Sequence, residues 1–277
     1  MAQLPGNIAK PFKYTAVGRI VEFFRLLFVM TAFNARGEGS NPLMGIIKRF
    51  IAMATLIFVF FLMMSLTGLR NLSGRIDLLL NIVIGITLFM THIFSFMEAR
   101  GLKGNSALSL HAPITPLLEL FSGACAFLYQ NVVSILLIFL VLHCWRGPLV
   151  IEDVRGLMNA YFWAWLSGLS IGSVIAGMSP FVPIIPAVAT PLFRRLNMLF
   201  SGKMFTANSL PTFMLPFFLW NPLFHIIDQA RGAVFRNYDP MHTNMVYPMW
   251  FTFTAFTIGF LLMFASKKVV SASWGTR

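Results

Sequence analysis

The most informative local stretch of the sequence is 219–240, LWNPLFHIIDQARGAVFRNYDP. His225, Asp228, Gln229 and Gly232 recur there at i, i+3, i+4 and i+7, which places them on one side of a helix. Leu223, Phe224, Ile226, Ile227, Ala230 and Val234 crowd the other side. Asn221 suits the N-cap of such a helix and Pro222 its first turn. His225 and Asp228 have metal-ligand chemistry, but no third ligand falls beside them, so no metal site is expected. The helix is too short and too polar to cross a bilayer. It reads as a segment dipping into the outer membrane face, tolerated where it lines a cavity. A surface helix between two spans fits the same pattern equally well.

Two further features carry chemical potential. Arg194 and Arg195 lie beyond the middle of the apolar stretch 181–202. An arginine deep in a bilayer costs about 2.5–3.5 kcal/mol even on the mildest scale, so such residues face water or a partner. The other reading is that the pair marks a cytoplasmic membrane boundary. Aromatic residues cluster at Tyr161, Phe162, Trp163 and Trp165, and again at Phe213, Phe217, Phe218 and Trp220. Aromatics at such positions form interfacial belts, and their ring faces also stack on sugars. Arg194, Arg195, Tyr161, Trp163, Trp165, Trp220, His225, Asp228 and Arg231 are therefore the candidate substrate-path residues. No catalytic residue is expected. His92, His111, His143, His225 and His242 are scattered and form no nucleophile–base–acid set, and no G-x-x-x-x-G-K-[ST] phosphate loop is present. The chain cannot use ATP by itself.

The elements that must position these residues are membrane helices. The 277 residues are 57% hydrophobic and only 11% charged, with a mean hydropathy of +0.76. A soluble domain carries about 25% charged residues, so lipid must face much of this surface. Residues 1–49 read as a basic cytoplasmic and interface segment, with Lys13, Arg19, Glu22 and Arg25 set among helically spaced apolar residues. Residues 50–277 read as the transmembrane domain. Spans are expected at about 50–68, 78–97, 120–143, 157–178, 181–202 and 247–265. The fourth is rich in Gly and Ser, which let membrane helices approach closely. The first 20 residues lack an apolar leader core, so the first span is expected to act as its own insertion signal. Cys125 and Cys144 fall on one predicted helix about 28 Å apart, too far for a disulfide.

The net charge of +12 matters by position. Twelve of the Lys and Arg residues lie in the N-terminal segment, the 98–118 loop and the tail, against seven on the opposite side. Basic residues mark the cytoplasmic side, so six spans with both termini in the cytoplasm are expected. No nucleic-acid module is present, and nucleic acid is excluded as a partner.

Three stretches resemble the permeases of ABC exporters for capsular polysaccharide, and more distantly those for O-antigen and teichoic acid. They are FFRLLFVMTAFNARGEGSNPLMGI at 23–46, HAPITPLLEL at 111–120, and PLFRRLNMLFSGKMF through LPTFMLPFFLWNPLFHIIDQARGAVF at 191–235. The resemblance implies an all-α integral membrane fold: six transmembrane helices, an N-terminal amphipathic interface helix and a re-entrant region before the last span. It implies a homodimer in the bacterial inner membrane with two separate ATPase subunits, which hold the ATP, while this chain binds no cofactor. A lipid-linked polysaccharide would thread between the two permeases, toward periplasmic and outer-membrane export components. Six helices are too few to enclose a sugar-wide channel alone, which agrees with a dimer. Arg25, Arg36, Glu38, Glu98, Arg100 and Lys103 are the expected ATPase contacts. A related permease for a lipid or drug, or a membrane-embedded lipid-modifying enzyme, is the alternative.

Overall fold

The computed structural model describes residues 16–36, 42–66, 76–100 and 115–274. The described residues form nine α-helices and no strand: α1 Ala16–Arg36, α2 Pro42–Leu66, α3 Leu78–Arg100, α4 Pro116–Arg146, α5 Val154–Met178, α6 Ile185–Phe200, α7 Leu215–Leu219, α8 Pro222–Val234 and α9 Val246–Trp274. Five of them, α2, α3, α4, α5 and α9, contain a segment long and apolar enough to cross a membrane. The protein is an all-α integral membrane fold.

The helices extend beyond the apolar windows that announce them. The first span was expected from residue 50, yet α2 begins at Pro42 and carries Lys48 and Arg49 within it. Charge ends an apolar window but does not interrupt backbone hydrogen bonding. At the start of α4, Thr115 caps the helix by accepting from the Leu118 amide (3.2 Å), and Pro116 occupies the first turn. Cys125 and Cys144 both lie on α4 and are free thiols. The stretch 181–202, expected as the fifth span, holds the 16-residue α6, with Pro191 inside it.

The core centres on α3, which packs with α5 and α8 in one cluster and with α2 and α4 in another. In α3, 83% of the apolar window is buried, against 22% in α2 and 17% in α9, so α3 is the central post and the others offer broad faces outward. The Gly and Ser residues of α5 make its close approaches. A Cβ at Gly168 would collide with the His92 carbonyl oxygen, and one at Gly172 would lie 2.5 Å from that of Phe96. On the far side a Cβ at Gly177 would meet Leu262, while Gly259 of α9 sits against Ser173. These pairings run in register: Tyr161 meets Thr87 and Gly172 meets Phe96, while Trp163 meets Phe253 and Gly177 meets Leu262. Hence α3, α5 and α9 are mutually parallel. The chain from Ser179 to Met245 must therefore travel back along the full length of α5. It does so by α6 and then an irregular path through α7 and α8, not by one continuous helix.

Gly168→Ala must displace α3 backbone and is expected to cost about 2 kcal/mol, as overpacking typically does. Gly123→Ala meets only the tip of Glu98 at 3.3 Å and is expected to be nearly neutral. Unfolding of the two detergent-purified variants compares them directly; equal stability would remove the close-packing account.

Candidate functional site

The helix, its cap and its apolar side are as the sequence reading of α8 has them. Asn221 adopts an extended conformation and its side chain accepts from the Leu223 amide (3.0 Å). The Asn221 side-chain amide also donates to the Phe200 carbonyl (3.1 Å), tying the start of α8 to the end of α6. The apolar side of α8, Leu223, Ile226, Ile227, Ala230 and Val234, packs into one core cluster with Ile84 and Leu88 of α3 and Ala164 of α5.

The polar side is filled by this chain. Asp228 is 1% exposed and Arg231 is fully buried. The Asp228 carboxylate accepts from the Ala207 amide (3.1 Å), the Thr243 hydroxyl (2.8 Å) and the Tyr238 phenol. Burial and the facing carboxylate hold the Tyr238 phenol above its usual pKa, so it stays protonated and keeps donating. Arg231 donates from one terminal nitrogen to the Phe205 carbonyl (2.6 Å) and from the other to the Gly202 carbonyl (2.8 Å). Gly202 has φ +66, and a Cβ there would strike the Phe224 ring, so glycine is required at this turn. His225 is in one tautomer: Nε2–H donates to the Leu219 carbonyl (2.8 Å), which leaves Nδ1 to accept from the Asn244 amide (3.2 Å). Together these three side chains fasten 202–207 and 238–244 to α8.

The other candidates separate into two groups. Tyr161, Trp163 and Trp165 lie inside the bundle: the Tyr161 hydroxyl shares a hydrogen bond with Thr87 (2.6 Å), and Trp163 Nε1 donates to Asn159 (3.1 Å). Trp165 is buried with its indole N–H unpartnered. Arg194 and Arg195, by contrast, are exposed on α6 beside the exposed Leu192, Met198 and Leu199. On the same helix Phe193 packs on Phe96 at 4.4 Å between ring centres and on His92 at 5.8 Å, which sets the depth of the pair one to two turns inside the Arg100 end of α3. Trp220 is 47% exposed, and its carbonyl accepts from the Tyr247 hydroxyl (2.6 Å).

Of the expected ATPase contacts, Arg25 and Arg36 are exposed on α1, and Arg25 pairs weakly with Glu22 at 3.9 Å. Glu98 and Arg100 sit in the last turn of α3. Glu38 and Lys103 lie outside the described residues.

Sequence reasoning missed two cations. Lys203 is 2% exposed; its ammonium donates to the Met198 carbonyl (2.6 Å) and stands over the rings of Phe89 (4.2 Å) and Phe60 (5.4 Å). It caps the end of α6, and Ser-Gly-Lys after an apolar helix was the available signal. Arg49 lies between α2, α3 and α4, over Phe127 (4.5 Å) and Phe94 (5.6 Å), in the field of Glu98. Among the described residues no group of three or more His, Cys, Asp or Glu is placed to hold a metal ion.

The return from α5 to α9 is thus a short helix, α6, followed by the stapled α8, with two arginines exposed between apolar neighbours. No family model matches the chain. Two curated proteins, each named polysialic acid transport protein KpsM of Escherichia coli, are similar to it at 25% and 27% identity. Each similarity runs over 191 residues, 65% of this chain and 71% of the relative. This similarity points to the same class as the resemblance carried by residues 23–46, 111–120 and 191–235: the capsular polysaccharide exporter permeases.

Proposed function

We propose that the chain is the transmembrane permease of an ABC exporter that moves a lipid-linked capsular polysaccharide across the bacterial inner membrane. A separate ATPase subunit drives it, and two copies of the chain form the path. The observation that carries this reading is the similarity to the polysialic acid transport proteins over 65% of the chain. The five membrane-length helices agree with it, and no phosphate loop occurs in these 277 residues.

The parallel direction of α5 and α9 supports six crossings, the sixth being the broken return through α6 to α8. With the basic residues counted, this reading keeps both termini in the cytoplasm and puts α8 at the outer side. The ATPase then meets α1 and the loop after α3.

Purified chain, alone and with the ATPase encoded beside it, tests the proposal in lipid vesicles. The expected result is no ATP hydrolysis by the chain alone, and hydrolysis with polymer entry into vesicles when both are present. Robust hydrolysis by the chain alone would refute it.

A further inference from the structure

Residues far apart in the sequence converge where α1, α2 and α4 meet. Gln130, 7% exposed, stands at the centre. Its Oε1 accepts from Arg49 Nε on α2 (3.1 Å), and its Nε2 donates to the Ala35 carbonyl in the last turn of α1 (2.9 Å). A Cβ at Gly45 would lie 2.7 Å from that Nε2, so the glycine of α2 makes room for the amide. The seam continues on both sides. Asn34 of α1 donates to the Ser122 hydroxyl of α4 (3.0 Å), and the Ser134 hydroxyl of α4 donates to the Ile46 carbonyl of α2 (3.1 Å).

The amide is chemically specific to its place. It needs an acceptor toward a guanidinium and a donor toward a helix-terminal carbonyl on one planar group. A carboxylate serves only the first and an ammonium only the second. The carbonyls of a helix's last turn lack intrahelical partners, so the Ala35 contact also closes the end of α1. Arg49 is held from three sides, by Gln130, by the Phe127 and Phe94 rings, and electrostatically by Glu98 of α3. Gln130 thereby joins α1 and α2 to α4, and reaches α3 through Arg49.

We propose that Gln130 is the positioning residue that latches α1 to the spanning helices and passes a load on α1 into them; the load itself rests on the exporter reading, in which α1 faces the ATPase. Gln130→Glu keeps the Arg49 contact and loses the donor to Ala35. Gln130→Met loses both at similar volume. Gly45→Ala pushes the amide aside without touching it chemically.

The test uses full-length protein with Cys125→Ala and Cys144→Ser, a spin label at Phe28→Cys on the exposed face of α1, and a control label at Leu261→Cys on α9. Gln130→Glu, Gln130→Met and Gly45→Ala are each expected to raise the mobility of the α1 label several-fold and to leave the α9 label unchanged. Export with the neighbouring ATPase is expected to fall about tenfold while ATP hydrolysis continues, the signature of lost coupling between sites. Combining Gly45→Ala with Gln130→Met is expected to add no further loss, because both act on one contact. An α1 label that stays as immobile as in the parent overturns the latch. A freed α1 label with parental export overturns the load path. If the ATPase does not bind this chain at all, the exporter reading fails, and the spin-label arm still decides whether Gln130 latches α1.

Discussion

Substituting Gln separately at Arg194 and Arg195 is expected to give one variant that exports no polymer while it still inserts, dimerises and stimulates its ATPase. Both arginines are exposed on α6, and the depth of neighbouring Phe193, packed on Phe96 and His92, places them inside the bundle's length. Lipid on that face would impose a cost per arginine that reaches about 2.5–3.5 kcal/mol at the bilayer centre and falls toward the interface. We propose instead that this face of α6 lines a hydrated path between two copies of the chain. Adjacent helical residues point about 100° apart, so only one of the pair faces the centre of the path squarely. The other snorkels toward headgroups or meets a carboxylate. A guanidinium binds a phosphate or carboxylate bidentately, which suits an anionic sugar or a phosphate on a lipid anchor. Gln keeps polarity and removes the charge. Polymer export measured for both variants decides the matter: parental rates in both would leave the pair as a membrane-boundary marker.

Arg231→Met is expected to destabilise the protein by about 3 kcal/mol, because two hydrogen bonds from a fully buried guanidinium to backbone carbonyls are lost. The substitution removes the bonds to the Gly202 and Phe205 carbonyls and strips Asp228 of the nearby positive charge. Asp228 retains Ala207, Thr243 and Tyr238, so the damage falls on the 202–205 turn and the exit from α6. Asp228→Asn, nearly isosteric, is expected to cost less. The double variant is expected to cost less than the two single losses combined, because it leaves no isolated charge. Chemical denaturation of the four detergent-purified proteins measures all three differences. An Arg231→Met protein as stable as the parent would show that the staple is not holding the return path.

The apolar runs of the sequence were sufficient to find α2, α3, α4, α5 and α9, because hydropathy and helix length are local properties that lipid selects directly. The cap at Asn221 and the two sides of α8 were equally legible, since both depend on spacing within one helix. The depth of the exposed Arg194 and Arg195 beside Phe193 was not, because it needs the position of α3.

Only the folded chain decided what α8's polar side does. Asp228 finds Ala207 and Thr243 at 21 and 15 residues' separation, and Arg231 finds Gly202 at 29, distances over which no periodicity carries information. The same holds for Gln130, whose partners Ala35 and Arg49 lie 95 and 81 residues away. Nothing in the local sequence around Lys203 announces its burial, which comes from Phe60 and Phe89 on two other helices. Composition decides that the chain enters a membrane and where its helices run. Which polar side chain meets which is decided by how the helices approach one another and by the broken return that the parallel direction of α3, α5 and α9 forces on the chain.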